Sequence, residues 1–340
     1  MAALLAAGSS SDKFVSFDVP LWVWAAFVAF VAFLLIADLL LVHRTAHVIT
    51  FKEAAIESAV WISIGLAFTL VLIAWHGGSA GGEYLAGYLI EKSLSVDNVF
   101  VWAVIMGYFR VPQQYQFRVL FWGIFGALVL RAIFIFAGVA LVEQFDWILY
   151  FFGAFLIYTA FKIARHDEAE VHPEDNVVLK LVNKIIPSTH EYDGQKLFTK
   201  KNGKRLATPL FAVLIMVETT DVVFAVDSIP AILAVSREQF IVFSSNAFAI
   251  LGLRSLYFLL AGMADRFRYL NVGLGVILAF VGVKMLIVEW YHFPTWLSLL
   301  VIAGVLTVAI VASLRSERTA DTDHDDVVEE MVERSHEGDH

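Results

Sequence analysis

About nine runs of roughly 20 apolar residues follow one another along the chain, and they constrain its fold more than any other feature. A helix of about 20 residues crosses a hydrocarbon core ~30 Å thick. The chain is 59% hydrophobic with a mean hydropathy of +0.73, whereas a soluble domain is about 45–50% apolar. The sequence therefore predicts an all-α, polytopic transmembrane helical bundle. The runs cover about residues 19–42, 56–75, 84–109, 119–142, 147–164, 208–235, 239–262, 269–289 and 295–314.

Lysine and arginine are distributed unevenly among the connections between these runs, and their distribution predicts the orientation of the chain. Positive residues concentrate in cytoplasmic connections. This rule places the N-terminus outside and the C-terminus in the cytoplasm, and an odd number of spans agrees with it. The predicted outer side carries few basic residues, Lys13 and Arg237. The predicted cytoplasmic side carries Arg44 and Lys52, Arg110 and Arg118, Arg165 to Arg205, Arg266 and Arg268, and Arg315 and Arg318.

The same boundaries divide the chain into regions. Residues 1–18 are predicted to be an extracytoplasmic N-terminus, and residues 19–314 to form the transmembrane domain. A polar connection, about residues 165–207, is predicted to be a solvated cytoplasmic loop. Residues 315–340 form an acidic cytoplasmic tail whose composition predicts disorder. The lipid bilayer is therefore an expected partner of the chain.

Composition also argues against several classes of function. The chain has no cysteine, which excludes disulfides and thiolate metal ligands. Its net charge is -9 and it has no strongly basic cluster, so nucleic acid is not an expected partner. The spans contain no nucleophile–base set and no haem-ligating histidine pair. We therefore expect no enzymatic activity and no tightly bound cofactor.

Two blocks of three spans, about residues 84–164 and 208–289, resemble each other. Arg131 in the first block recurs 123 residues later as Arg254 in the second. Each block has an odd number of spans, so the second must cross the membrane in the opposite direction. The sequence thus predicts an inverted-topology repeat, and such transporters bind substrate near the midplane between their repeats. Further recurring residues are Gln116-Phe117 with Gln239-Phe240, Gly153 with Gly275, and Lys162 with Lys284.

Six carboxylates lie inside the apolar runs, where each costs roughly 2.5–3.5 kcal/mol on insertion scales. Nothing structural requires so many, so they predict a site for a cation or a proton. Five of them form two clusters, each in the first span of its block. Two registers of the repeat, which pair Asp97 with either Asp227 or Asp221, stay open. The candidate ligands are Glu91, Asp97 and Asn98 in the first block, Glu218, Asp221, Asp227 and Asn246 in the second, and Asp38 in the first span.

Helix periodicity limits how these side chains can converge. Glu91 and Asn98 are seven residues apart and share one helix face. Asp227 is nine residues from Glu218, about half a turn around a regular helix. Either this helix is broken near Pro230, where a proline removes a backbone hydrogen bond, or its acids make different contacts.

The candidate ligands are all oxygen donors, which suit Mg²⁺, Ca²⁺ or Mn²⁺ and disfavour Zn²⁺ and Cu²⁺. The residues leave the choice among the first three open. The same carboxylates could carry protons instead of metal, so exchange of protons for metal is a hypothesis. A purely structural alternative pairs the acids with nearby bases, although acids are in slight excess. Those pairs would be Lys92 with Glu91, and Arg131 or Arg254 with Asp97 or Asp227.

Two segments resemble the signature segments of the TerC family of integral membrane proteins, in its Alx-like branch. They read Glu91-Lys-Ser-Leu-Ser-Val-Asp97-Asn98-Val-Phe and Phe224-Ala-Val-Asp227-Ser-Ile-Pro230-Ala. The resemblance covers about residues 20–314. It implies a bacterial inner-membrane protein of a family named for tellurium resistance and implicated in manganese export. Manganese and the inner membrane follow from this resemblance, because the residues alone do not select them.

The resulting expectation is a membrane transporter that exports a divalent cation, manganese by the resemblance, through a carboxylate site between two inverted repeats. The alternative is a membrane partner protein in a metal-stress, tellurite-resistance or redox-modulating complex, without transport of its own. Metal flux through the purified protein distinguishes the two.

Overall fold

A computed structural model of the protein describes residues 14–39, 49–145, 147–164, 186–189, 191–201, 204–260, 268–287, 290 and 295–313. Each predicted apolar run contains helix, which confirms the all-α bundle. The helices are α1 (Leu21–Ala37), α2 (Phe51–His76), α3 (Gly78–Tyr108), α4 (Gln113–Gln144), α5 (Ile148–Ala164), α6 (Pro209–Leu233), α7 (Gln239–Leu251), α8 (Leu253–Leu260), α9 (Arg268–Leu286) and α10 (Thr295–Ser313). Two short strands, β1 (Phe198–Lys201) and β2 (Lys204–Ala207), precede α6.

Five helices in the described part of the chain are long and apolar enough to cross a membrane, counting α7 and α8 as one. They are α2, α4, α6, α7–α8 and α10. Three shorter apolar helical segments are α1 and most of α5 and of α9. α3 has 31 residues but carries charged groups that lower its hydropathy. Large apolar side chains such as Trp22, Leu70 and Val308 point outward, as lipid contact requires.

Local sequence sets where several helices begin and end. Thr50 and Glu53 form a capping box that satisfies the first free amides of α2. Gly77 has φ 85, a left-handed conformation that glycine adopts without strain, and it separates α2 from α3. Pro112 precedes α4 and Pro209 begins α6, where a missing amide proton costs no helix hydrogen bond.

The two three-helix blocks pack reciprocally. α3 packs on α7 and α4 packs on α6, while the third helices α5 and α9 pack on each other. A Cβ at Gly153 would lie 2.9 Å from the Gly282 carbonyl oxygen, and one at Gly282 would lie 2.8 Å from that of Gly153. The reciprocal packing of the helix pairs is what the predicted repeat would produce. The opposite orientation of the blocks in the membrane stays a prediction.

α7 lies at the centre of the bundle. The α7–α8 span is 89% buried, against 17% for the peripheral α10. In α7 every residue except Gln239 and Phe243 is buried. Because α7 contacts other helices on all sides, its polar residues face protein rather than lipid.

Segments that connect the helices contact one another at each end of the bundle, as the predicted topology requires. At one end, Val15 donates its amide to Glu83 Oε1 at 2.8 Å, and Phe17 donates its amide to Glu238 Oε2 at 3.2 Å. Burial raises the pKa of Glu238 above its ordinary value, although the Phe17 amide opposes this shift. At the other end, the Tyr192 hydroxyl donates to the Phe109 carbonyl at 2.7 Å. Which end faces the cytoplasm stays a prediction.

A β-hairpin lies within the connection that the sequence predicted only as a solvated loop. β1 and β2 pair antiparallel from Phe198 with Ala207 to Lys201 with Lys204. Lys201 donates to Glu191 at 2.5 Å, and this bond together with the Lys201 charge holds the pKa of the exposed Glu191 carboxyl below its usual range. Residues 1–13, residues 165–185 and the acidic tail lie outside the described residues.

Candidate cation site

Four helices bring polar side chains together at mid-depth of the bundle. The participants are Glu91 on α3, Arg131 on α4, Asp221 on α6 and Asn246 on α7. Each lies near the middle of its helix. Glu91, for example, is 13 residues beyond the start of α3, which corresponds to about 20 Å of helix. We call these residues, together with Asn98, Ser95 and Ser228, the central network.

Arg131 binds both acids of the central network. Its Nη1 forms a direct ion pair with Glu91 Oε1. Its Nη2 donates to Asp221 Oδ1 at 2.9 Å and its Nε donates to Asp221 Oδ2 at 3.3 Å, so the contact with Asp221 is bidentate. All three side chains are at most 1% exposed. The guanidinium therefore lies between the two carboxylates and is shared by them.

Neutral side chains complete the hydrogen bonding of the two acids. Asn246 Nδ2 donates to Glu91 Oε2 at 3.1 Å, and Asn98 Nδ2 donates to Asp221 Oδ1 at 3.5 Å. The Ser95 hydroxyl donates to Glu91 Oε1 at 3.3 Å. Arg131 Nη1 also donates to Ser228 Oγ at 3.2 Å.

Three buried oxygen atoms of this region have no hydrogen-bond partner among the residues that the structure describes. They are Asn98 Oδ1, Asn246 Oδ1 and Glu218 Oε2. Both asparagines donate to a carboxylate through nitrogen, and a buried oxygen without a donor carries a desolvation penalty of about 1–3 kcal/mol. A hard cation would satisfy such oxygens, since Mg²⁺, Ca²⁺ and Mn²⁺ all take amide and carboxylate ligands.

The central network has an excess of negative charge when its acids are ionised. Glu91 and Asp221 carry two negative charges, and Arg131 supplies one positive charge. Glu218 lies one helical turn before Asp221 on α6, close enough for the two carboxylates to repel. A region of low dielectric that holds more carboxylates than bases attracts a cation.

Glu218 lies in a space that a glycine on α4 leaves open. A Cβ at Gly126 would collide with the Glu218 carboxylate. Gly126 is thus a position on which the placement of Glu218 depends. The sequence alone does not single out Gly126, because a single glycine in a transmembrane span is ordinarily explained by helix packing.

Acidic side chains alone do not form a metal cluster in this structure. No group of three or more His, Asp or Glu side chains among the described residues is spaced to hold an ion. Arg131 lies between the two acids of the central network, and the remaining oxygens belong to asparagines. Any cation site here therefore needs the amide oxygens as well as the carboxylates.

One predicted ligand of the second carboxylate cluster, Asp227, makes its hydrogen bond away from the central network. Asp227 accepts a hydrogen bond from Thr159 Oγ1 of α5 at 3.0 Å. α6 continues through Pro230 to Leu233, so a break near Pro230, one of the two alternatives that the sequence left open, is wrong. The other alternative holds, since Asp221 and Asp227 make different contacts. The side chain of Asp97 lies outside the described residues.

Asp38 belongs to a second charged group. It forms an ion pair with Arg254, whose Nη2 lies 3.8 Å from Glu57 Oε2 and whose guanidinium lies 4.3 Å from the centre of the Phe117 ring. We call these residues the Arg254 network.

The base–acid pairs that the sequence suggested are therefore wrong for the described side chains. Arg131 binds Glu91 and Asp221 rather than Asp227, and Arg254 binds Asp38. Lys92 donates to the Ala249 carbonyl at 3.2 Å. Sequence spacing defines faces on one helix but not contacts between helices, so it could not select among these bases.

Comparison with known proteins identifies the family. The model of the TerC family of integral membrane proteins matches residues 76–321. The chain belongs to the TerC family. An uncharacterized membrane protein of Myxococcus xanthus is 52% identical over 299 residues, which cover 88% of this chain and 94% of the relative. No solved structure matches the chain.

Two further relatives extend the comparison. A protein of Escherichia coli K12 is 50% identical over 297 residues, covering 85% of this chain and 92% of the relative, and its name proposes a membrane-bound redox modulator, Alx. An uncharacterized membrane protein of Rickettsia bellii is 37% identical over 298 residues, covering 88% of this chain and 99% of the relative. The predicted membership of the TerC family and the Alx-like branch is thus confirmed.

Proposed function

We propose that this TerC-family protein is a transporter that exports a divalent cation through the central network. The observation that carries the proposal is the buried pair of acids, Glu91 and Asp221, which share one arginine. Beside them lie the oxygens of Asn98 and Asn246, which have no donor among the described residues. Intramembrane ionisable groups ordinarily line substrate or proton pathways, because their burial has a cost that structure alone does not require.

Manganese is the favoured cargo. The oxygen donors of the site suit Mn²⁺, Mg²⁺ and Ca²⁺ alike. Manganese export is what the family resemblance implies. A bacterial inner membrane, with the N-terminus outside and the C-terminus in the cytoplasm, is part of the same proposal. The distribution of lysine and arginine supports this orientation.

Protons are the proposed coupling ions. Glu91 and Asp221 can be ionised and bind a metal ion, or accept protons when the metal has left. Metal and protons cannot occupy the same carboxylates at once. Alternating exposure of the site to the two sides of the membrane would therefore exchange protons for metal.

Metal flux in liposomes tests the proposal. Purified protein is reconstituted with a Mn²⁺-quenched dye inside the vesicles, and the initial rate of quenching is measured for the parent and for the double variant Glu91→Gln/Asp221→Asn. We expect flux in the parent and none above protein-free vesicles in the double variant. Glu191→Gln removes an exposed carboxylate outside the central network and serves as the control, with unchanged flux. Equal flux in parent and double variant would reject the site.

The second candidate function is that of a membrane partner in a metal-stress or redox-modulating complex. It is favoured by the name of the relative from Escherichia coli. Because this chain has no cysteine, its own thiols could not carry a redox reaction. A parent protein that is folded in liposomes but conducts no metal would support this candidate over transport.

A further inference from the structure

Arg131 occupies the place where a cation would bind the two acids of the central network. Three of their four oxygens accept hydrogen bonds from the guanidinium, namely Glu91 Oε1, Asp221 Oδ1 and Asp221 Oδ2. The fourth, Glu91 Oε2, accepts from Asn246. A metal ion that binds Glu91 and Asp221 together must use oxygens that Arg131 now holds.

Electrostatic repulsion also opposes simultaneous occupancy. A divalent ion and a guanidinium on the same carboxylates would lie a few ångströms apart among buried side chains, where like charges repel strongly. The network could relieve this repulsion if the arginine moved away as the metal entered.

We propose that Arg131 is a tethered counter-ion that competes with the transported cation for Glu91 and Asp221. The inference rests on the proposed function and specifies where the guanidinium lies in the metal-free and the metal-bound states of the transport cycle. When the site holds no metal, the guanidinium neutralises one of its two negative charges, and a proton neutralises the other. When metal binds, the guanidinium withdraws. The two acids are never buried without a positive partner, so the metal-free protein can return through the membrane without carrying bare carboxylates.

Ser228 offers a partner for the withdrawn arginine. Its hydroxyl already accepts a hydrogen bond from Arg131 Nη1 at 3.2 Å and is 1% exposed. Ser228 is two turns beyond Asp221 on α6 and is neutral. A small rotation of the long arginine side chain could therefore release the carboxylates while keeping this bond.

A fixed structural ion pair is the competing explanation, and it makes the opposite prediction. Removing one partner of a buried ion pair leaves an uncompensated charge and destabilises the protein. If Arg131 only stabilises the fold, its removal lowers stability, and metal affinity falls or stays the same. If Arg131 competes with metal, its removal increases metal affinity, and bound metal restores the stability that was lost.

Titration of purified full-length protein with Mn²⁺ in detergent tests the inference. The dissociation constant and the midpoint of thermal unfolding are measured for the parent, Arg131→Gln, Arg131→Lys and Arg254→Gln. Arg254 is the matched control, because it is a buried arginine at the equivalent repeat position that contacts Asp38 instead of the central network. We expect Arg131→Gln to bind Mn²⁺ about tenfold more tightly than the parent, within the usual range of coupling between sites.

The conservative variant keeps the test decisive if Arg131→Gln does not fold without metal. Lysine retains the charge but cannot bind Asp221 through two nitrogens. Arg131→Lys should therefore bind Mn²⁺ more tightly than the parent, and Arg254→Gln should bind it as the parent does. A gain in affinity at Arg131 must also be accompanied by slower flux, since the metal is released less readily.

Failure of the inference differs from failure of the proposed function. If the parent binds and transports Mn²⁺ and neither Arg131 variant binds it more tightly, the competition is rejected while the transporter remains. If no variant binds Mn²⁺ and the parent conducts none, both proposals are rejected. An equal gain in affinity in Arg254→Gln would reject a specific role for Arg131.

Discussion

Arg131 and Arg254 occupy corresponding positions of the two blocks, 123 residues apart, yet their surroundings differ. Arg254 binds the carboxylate of Asp38 through both terminal nitrogens, and its guanidinium faces the Phe117 ring. Arg131 is divided between two carboxylates, Glu91 and Asp221, on different helices. In the Arg254 network the arginine binds Asp38 closely, faces an aromatic ring and has Glu57 farther away at 3.8 Å, while in the central network one arginine binds two acids closely.

The central network contains buried amide oxygens, whereas the described members of the Arg254 network include no amide side chain. Beside Arg131 lie buried amide oxygens of Asn98 and Asn246 that have no donor in the described part of the protein. An arginine over an aromatic ring gains a cation–π contact that favours a fixed position. We therefore assign a structural role to the Arg254 network and cation binding to the central network.

The largest effect is expected from Asp221→Asn. It removes one of the two acids, leaves Arg131 paired with Glu91 alone, and should abolish Mn²⁺ binding and flux. Calorimetric titration and vesicle flux measure the two quantities. Unchanged Mn²⁺ affinity in a folded Asp221→Asn protein would show that the central network does not bind the cation and does not differ from the Arg254 network in this respect.

Arg254→Gln should instead lower stability. It removes the guanidinium that Asp38 and Glu57 face, and loss of one partner of a buried pair costs about 3–5 kcal/mol. The thermal unfolding midpoint in detergent measures this loss. Mn²⁺ should not restore the midpoint of Arg254→Gln, whereas it should restore that of Arg131→Gln. Rescue of both variants by Mn²⁺ would show that the two networks are alike.

Gly126→Ala should displace Glu218 from its position beside the central network. The added Cβ would meet the Glu218 carboxylate, and overpacking of this kind costs typically about 1–3 kcal/mol. We expect weaker Mn²⁺ binding together with this loss of stability. Gly107→Ala is the matched control, because a Cβ at Gly107 meets nothing within 4 Å. Equal affinity in both variants would exclude Glu218 from cation binding.

Asn246→Leu should have the smallest effect of these four substitutions. Leucine has a similar size but removes the amide oxygen that a cation would use and the donor to Glu91 Oε2. We expect a loss of Mn²⁺ affinity of about tenfold, equivalent to about 1.4 kcal/mol. Tighter or unchanged binding would indicate that Asn246 serves only to hold Glu91.

Much of the fold could be predicted from the sequence, because apolar runs of membrane length specify helices directly. The candidate acids were also apparent, since charged residues stand out in apolar runs. Pro230 left two alternatives open in the sequence, and the break is the one that does not occur. Pro230 lies in the last turn of α6, which ends three residues later at Leu233, and the helix continues through it.

The contacts of the central network could not be predicted, because they join residues that are far apart in the chain. Arg131 and Asp221, for instance, are 90 residues apart. Such contacts depend on how helices pack, which residue spacing along one helix does not determine. The hairpin was missed although Asn202-Gly203, a dipeptide typical of hairpin turns, lies between its two strands in the sequence.

Crystallographic location of the bound ion tests the central claim most directly. Crystals of the full-length protein grown with Mn²⁺ are measured at the manganese absorption edge, and an anomalous difference map locates the metal. We predict a peak among Glu91, Asp221, Asn98 and Asn246, with the Arg131 guanidinium moved away from the two acids. A peak at the Arg254 network alone, or a Mn²⁺-loaded protein with no peak within ligand distance of Glu91 and Asp221, would contradict the account.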